Sequence, residues 1–266
     1  MVSAMWGGTW DVRWFPEIDS TNAYLLKESR LGVPEGTVAV ADHQSAGRGR
    51  LDRRWESPPG ASLLASILFR PEFDPAELHL CTAAVALAAA EACRDVAGVG
   101  PVLKWPNDLV VDGAKLAGVL AEAEFGGPGS GGSGPGTPGS GPGTPALAVV
   151  VGIGLNVEWP GPDDAQGTCL RDLSATPTDR VQLLDALLDA LSVRRALLDT
   201  PEGRREVAAE LRERCATLGQ RVRVELPAEA VVGVATEVDD AGHLIVLTDA
   251  GPRVVAAGDV VHLRPA

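Results

Sequence analysis

The step Asp112-Gly113, set between the apolar runs 109–111 and 115–122, obliges the chain to double back on itself. Asp-Gly is among the strongest two-residue hairpin signals, because the turn it favours takes positive φ at both central positions. Just upstream, 102–105 reads as a short strand that Pro106 breaks and 109–111 resumes. The paired strands then carry Asn107, Asp108 and Lys115. Such a hairpin can be a surface element with solvated charges, or it can gather three polar groups into a site. Composition bears on the choice. Of 23 basic residues only Lys27, Lys104 and Lys115 are lysine, and two of them lie in this stretch. Asparagine occurs only at Asn22, Asn107 and Asn156, each in a polar break between apolar segments. A compact ammonium and a neutral amide do what Arg and Asp cannot, so these positions are candidates for function.

A chain of 266 residues can bury a sizeable core and act as an independent enzyme. Its net charge of -13, with no basic tail, argues against nucleic acid as main partner, since that affinity rests on clustered cations. The first nine residues lack a basic region followed by an apolar core, and no run of eighteen apolar residues occurs, which disfavours secretion and membrane spanning. Cys81, Cys93, Cys169 and Cys215 form no CxxC pair. Cys81 and Cys93 fall on one expected helix, roughly 18 Å apart by helical rise, too far for a disulfide or a shared metal. Four reduced, mostly buried thiols in a cytoplasmic protein is the expectation.

Residues 10–15 alternate as a strand does, and Asp19-Ser20-Thr21-Asn22 offers several N-caps for a helix running to Arg30. One cap suffices, so the remaining side chains are structural or meet a ligand at the helix terminus. The strand 36–42 feeds a polar loop, 43–55, with Arg48, Arg50, Arg53 and Arg54 interleaved with Gly47 and Gly49. It is either a solvated basic loop or an anion trap. In the second case the glycines take positive φ and turn backbone N–H groups toward a ligand while the guanidinium forks clamp phosphate. The GxxxxGK[ST] order of a Walker loop is absent.

An apolar strand at 61–69 precedes an Ala-rich helix at 75–96 whose His79 is assigned no role. Residues 126–145 contain only Gly, Pro, Ser and Thr and read as a disordered loop joining two neighbouring strands of one sheet, 115–124 and 147–155. The Gly152-Ile153-Gly154-Leu155-Asn156 stretch suggests a close approach to a ligand or another backbone, with Asn156 either facing a base or forming a turn. Two packing helices follow, the first capped by Asp179 and the second opened by Pro201. From Gln220 onward short β runs imply a small barrel, with a boundary near Leu218-Gly219. The expected domains are 1–218 and 219–266.

Taken together, Ser20-Thr21-Asn22, Gln44 with the Gly47-Arg48-Gly49-Arg50 loop, the KWPND stretch at 104–108, KLAGVL at 115–120, GIGLN at 152–156 and the terminal GDVVHLR resemble a biotin protein ligase, in that family's order along nearly the whole chain. The resemblance implies an α+β fold: a mixed β-sheet flanked by helices, related to class II aminoacyl-tRNA synthetases, followed by an SH3-like β-barrel. It implies that biotin and ATP form biotinyl-AMP, with Mg2+ accompanying the nucleotide and no metal ligands assigned. Biotin then passes to a lysine of a biotin carboxyl carrier domain. By the same resemblance biotin contacts Ser20, Thr21, Asn22, Gln44, Gly47, Arg48, Gly49, Arg50, Lys115, Gly118 and Gly154. ATP falls to Arg48, Arg50, Arg53, Trp55, Lys104, Asn107, Lys115, Asn156 and Arg264. Arg48, Arg50, Lys115 and Asp108 are the implied catalytic residues.

Two departures stand out. The family loop often runs GRGRRGR, whereas Leu51-Asp52 stands in its middle here, removing a cation and a hinge and adding an anion. About ten residues precede the first expected strand, so the family's N-terminal DNA-binding winged helix is expected to be missing. Rival readings are a lipoate or octanoate ligase or transferase of the same superfamily, and a module that holds biotinyl-AMP without transferring it. A monomer or a weak homodimer fits the sequence equally well.

Overall fold

The computed structural model describes residues 2–6, 9–51, 53–125, 147–163, 166–226, 229–256 and 258–263. The tract 126–145, Asp52 and Arg264 fall outside them. In chain order the first part holds β1 (Val2–Trp6), β2 (Trp10–Phe15), α1 (Thr21–Arg30), β3 (Thr37–Ala41) and β4 (Ser62–Phe69), then a 3-10 turn at Pro75–Glu77 and α2 (His79–Ala97). Next come β5 (Val102–Lys104), β6 (Asp108–Val111), β7 (Ala114–Glu124), β8 (Ala148–Asn156), α3 (Leu170–Leu173), α4 (Arg180–Leu198) and α5 (Pro201–Glu213). The second part is β9 (Arg221–Glu225), β10 (Ala230–Val238), β11 (Leu244–Thr248), β12 (Gly251–Val255) and β13 (Asp259–His262).

The eight strands of the first part form one mixed sheet in the order β1-β2-β3-β4-β8-β7-β6-β5, parallel only between β2 and β3. β3 and β4 are buried along their whole length, as central strands covered on both faces must be. On one face α2 and α4 build the main core, with Val85, Leu87, Leu184, Leu187 and Leu188 against Leu63, Ile67 and Ile153. On the other face α1 packs Leu25 against Ala39, Leu68 and Val150. The helix α2 is long and apolar enough to cross a membrane by composition alone, but its apolar side chains are packed into this core. Its end is set by Gly98 at φ 67°, whose N–H returns to the Arg94 carbonyl, the bond of a left-handed C-cap. All four cysteines are free and buried.

Several sequence expectations hold, and three are corrected. β7 and β8 are antiparallel neighbours, from Ala117↔Leu155 to Glu124↔Ala148, on either side of the Gly/Pro/Ser/Thr tract. β1 was not expected; it pairs with β2 at the sheet's edge. Pro75–Glu77 is a separate 3-10 turn, with Asp74 accepting from Ala76 N–H, so the helix begins later than its apolar period suggested. Most consequential, β6 does not resume β5. The chain reverses through Trp105-Pro106-Asn107, Lys104 lies opposite Asp108, and two successive hairpins share β6.

The second part forms a five-stranded antiparallel sheet, β12-β11-β10-β9-β13. Its core contains Val222, Val224, Val231, Val246 and Val260, joined by Trp105 and Cys215 from the first part. The two parts are stitched by Trp105 Nε1 to the Gly242 carbonyl, Arg212 Nε to the Val238 carbonyl, and the contact of Thr217 Oγ1 with His262 Nε2.

Candidate active site

A cavity of about 930 Å³ opens on the face of the sheet that carries α1. Cross-strand register lays its floor. Asp108, Gly118 and Gly154 are successive partners across β6, β7 and β8, and Leu120, Gly152 and Ser66 form the next row. Partners across a sheet point to one face, so the glycines leave a trough there. A Cβ at Gly154 would lie 2.3 Å from Trp55 Cε2, and one at Gly152 would lie 2.2 Å from Asn22 Oδ1.

Lys115 enters this face through a bulge. Leu109 pairs with Ala117 but Val110 pairs with Lys115, so β7 contains one extra residue. A one-residue slip flips a side chain to the other face of a sheet. Lys115 Nζ consequently stands 2.7 Å from Asp108 Oδ1 and 5.6 Å from the centre of the Trp55 ring. The approach to Asp108 Oδ1 is too oblique for a directed hydrogen bond, and that buried oxygen has no other partner. Trp55 Nε1 is likewise buried without a hydrogen bond.

At the helix terminus, Ser20 caps α1 by accepting from Ala23 N–H. Gln44 Oε1 accepts from Thr21 N–H at 2.8 Å and from Thr21 Oγ1 at 3.0 Å. Ser66 Oγ bridges Thr21 Oγ1 at 2.7 Å and Asn22 Oδ1 at 2.6 Å. Asn22 is buried, and its Nδ2 donates to the Leu120 carbonyl and to Glu122 Oε2. Its amide therefore fills the space over Gly152 on the trough side of the sheet, and Ser20, Thr21 and Gln44 line the cavity with it.

The loop 43–55 folds as a small hairpin: Arg48 bridges Arg54, Gly49 N–H bonds the Arg53 carbonyl, and Trp55 N–H bonds the Gly47 carbonyl. Neither Gly47 nor Gly49 occupies the left-handed region, contrary to the sequence expectation; Leu51 does, at φ 53°. Gly47 is needed for another reason, since a Cβ there would fall 2.4 Å from the Trp55 carbonyl oxygen. Each loop arginine is held by protein. Arg48 pairs with Glu122, Arg53 with Asp259, and Arg54 reaches the Ser45 carbonyl. Arg50 donates to Asn107 Oδ1 and to the Gly258 carbonyl, both at 3.3 Å, and burial holds its guanidinium below its usual pKa. Anionic ligands entering the cavity thus meet four guanidinium groups along its lining, two of them, Arg48 and Arg53, balanced by carboxylates.

Asn107 Nδ2 holds the Val119 carbonyl, and Lys104 lines the cavity next to it. Asn156 Nδ2 donates to the carbonyls of Pro160 and Thr168, tying down the loop that walls the far end. The structure brings the candidate residues to the lining of one cavity, except Gly47, which lies behind it against the Trp55 carbonyl, and Arg264, which is outside the described residues. Sequence reasoning missed Ser66, Glu122 and Asp259, and read Gly152 as a place of close approach without assigning it to the site. Ser66, in the middle of the otherwise apolar run 63–69, and the first glycine of the 152–156 stretch were available signals. The contacts of Glu122 and Asp259 depend on the tertiary fold.

The Biotin/lipoate A/B protein ligase family matches residues 14–133, and the Biotin protein ligase C terminal domain matches residues 217–263. The chain is 38% identical to the biotin--[acetyl-CoA-carboxylase] ligase of Mycobacterium tuberculosis over 92% of its own length and 86% of that protein. It is 33% identical to the enzyme of the same name from Paracoccus denitrificans, covering 91% of this chain and 96% of the relative. Among solved structures it resembles the biotin protein ligase of Aquifex aeolicus in complex with biotin and ATP, with TM-score 0.74 and 26% identity across 96% of this chain and 99% of the other. A glycine-floored trough, an arginine loop closing on it and relatives of this similarity and coverage lead to one conclusion: the chain belongs to the biotin protein ligase family.

Proposed function

We propose that this protein joins biotin to AMP and then transfers the biotinyl group to a lysine of a biotin carboxyl carrier domain. The observation that carries the reading is Lys115 Nζ, which stands over the glycine trough between Asp108 and Trp55, where a carboxylate and an α-phosphate can meet. A carboxylate resists amine attack, so it first displaces pyrophosphate from ATP. Charge building on the α-phosphate is stabilised by fixed cations, and Lys115 and Arg50 are placed for this. The lysine amine then attacks the acyl carbon and AMP leaves. Between the steps the mixed anhydride needs shielding from water, and the loop 43–55 is the element to give it.

Biotin's rings lie over Gly118 and Gly154, ringed by Ser20, Thr21, Gln44 and Arg48, with Asn22 bracing the floor. Gly47 and Gly49 keep the loop backbone close. Arg48, Arg50 and Arg53 take phosphates, Trp55 stacks on or walls off adenine, and Asn156 shapes the base end by holding its loop. Asn107, Lys104 and Arg264 complete the nucleotide side. Mg2+ usually binds through one or two carboxylates together with nucleotide phosphates, and the Asp108 carboxylate, paired with Lys115 in this structure, is the group we assign to the metal or to the incoming amine. The described residues contain no group of three His, Cys, Asp or Glu side chains able to hold a metal by themselves.

We read the second sheet as an SH3-like barrel at 219–266, supported by its short antiparallel strands and its separate core, and the main sheet as related to class II aminoacyl-tRNA synthetases. A cytoplasmic setting is supported by four free, buried thiols. No cysteine lines the cavity among the described residues, which disfavours a thiol-dependent acyl transferase.

The test is the intact mass of a biotin carrier domain after incubation with the protein, ATP and Mg2+, with biotin, lipoate and octanoate in separate tubes. One biotinyl group added only in the biotin tube, and absent from a carrier lacking the acceptor lysine, is the expected result. Transfer of lipoate or octanoate instead overturns it. Biotinyl-AMP without transfer supports a binding module.

A further inference from the structure

Glu122 belongs to none of the residue sets implied by the resemblance, yet it connects two of them. It stands on β7 beside the trough, half-buried, with a carboxylate that reaches in two directions. Oε2 accepts from Asn22 Nδ2 at 2.8 Å, and Oε1 accepts from Arg48 at 3.2 Å. Asn22 is fixed at its other atoms by Ser66 and the Leu120 carbonyl, and the missing side chain of Gly152 leaves just enough room for it. One end of the carboxylate is therefore rigid. Arg48, by contrast, is 48% exposed and rides on the loop. Resting on the ligase reading, we propose that Glu122 is a positioning residue: it ties the loop's Arg48 to the floor residue Asn22 and so biases the loop to stay closed over the acyl adenylate.

The geometry suits a latch that must open in every turnover. An ion pair this exposed shifts an equilibrium by roughly five-fold at most, enough to prolong closure without trapping product. When the loop closes and water is excluded, the same pair strengthens. Asp259 holds Arg53 in a similar way, but from the other domain and without a link to the trough floor. Asn107 also joins loop and sheet, taking Arg50 at Oδ1 and holding the Val119 carbonyl through Nδ2, but it does so with a neutral amide, whereas Glu122 makes its link with a carboxylate.

The experiment compares wild type with Glu122→Gln and Glu122→Asp. The glutamine keeps an acceptor for Asn22 but presents no anion to Arg48, so the floor is preserved and the latch is lost. Each protein is loaded with biotin, ATP, Mg2+ and pyrophosphatase without a carrier. Release of biotinyl-AMP and acylation of lysines on a bystander protein are followed by mass spectrometry, and adenylate synthesis is followed separately by pyrophosphate exchange. Glu122→Gln is expected to release adenylate and label the bystander roughly two- to five-fold faster, with synthesis within about two-fold of wild type. Glu122→Asp should fall between the two, because it retains the charge. Equal release from all three proteins overturns the latch. So does a matched loss of synthesis and retention, which would mark a merely structural role. Failure of wild type to make biotinyl-AMP would instead overturn the ligase reading itself.

Discussion

Trp105 Nε1 donates a 3.0 Å hydrogen bond to the carbonyl of Gly242, which anchors the turn between β5 and β6 in the second domain. The Trp105 ring is buried in that domain's core beside Val222, Val246 and Cys215. The turn that carries Asn107 and Asp108 into the site is thus positioned from outside the main sheet. Trp105→Ala is expected to remove about 3–5 kcal/mol of stability and to split the thermal unfolding of the two domains, read by calorimetry. Trp105→Phe keeps most of the packing and should lose only about 1 kcal/mol for the hydrogen bond.

Lys115 is a point charge held between Asp108 and the Trp55 ring, with its Nζ 3.2 Å from where a Gly118 Cβ would sit. A planar, longer guanidinium does not fit that gap. Lys115→Arg should lower adenylate synthesis by roughly 10²-fold while changing biotin affinity much less. Pyrophosphate exchange and calorimetric biotin titration separate the two, and a normal exchange rate would remove Lys115 from the first half-reaction.

Leu51 sits at the tip of the arginine hairpin with φ 53° and an exposed side chain. A non-glycine residue in this region carries a strain of about 1–2 kcal/mol, partly offset by its smaller loss of chain entropy. Leu51→Gly should relieve the turn and favour the folded hairpin by up to about 1 kcal/mol. The expected signs are slower trypsin cleavage within 48–54 and up to roughly five-fold slower adenylate release.

His79 packs against Gly242, and burial lowers its pKa; the Ala76 carbonyl, Asp239 and Glu77 oppose that shift, while His243 adds to it. A histidine with a depressed native pKa stays neutral in the fold while the unfolded chain takes up a proton. Its contribution is complete above about pH 6.5 and is lost as pH falls toward the native value. The drop in melting temperature between pH 7.5 and 5.5 should be smaller in His79→Gln than in wild type; equal drops would show that His79 does not sense pH.

Burial pushes the Cys81 and Cys93 thiols up to about 12, so neither forms thiolate near neutrality. Both should resist a thiol reagent in the native protein and react only after denaturation, as counted by mass.

The sequence by itself determined the local elements and their turns. Alternation and turn residues located the strands of the second domain, the Asp179 cap and the pairing of β7 with β8 across a tract that has nothing to bury. These are local patterns, and local chemistry produces them. Tertiary structure alone decided how the site is aimed. The extra residue in β7 turns Lys115 onto Asp108, and no periodicity announces a bulge. The reversal at Trp105-Pro106-Asn107 depends on a pocket in the second domain that receives the indole. Left-handed backbone fell to Leu51 rather than to the loop glycines, because Gly47 is required where two backbones touch. Glu122 reads as an ordinary charge in a strand until Asn22 and Arg48, distant in sequence, arrive on either side of it.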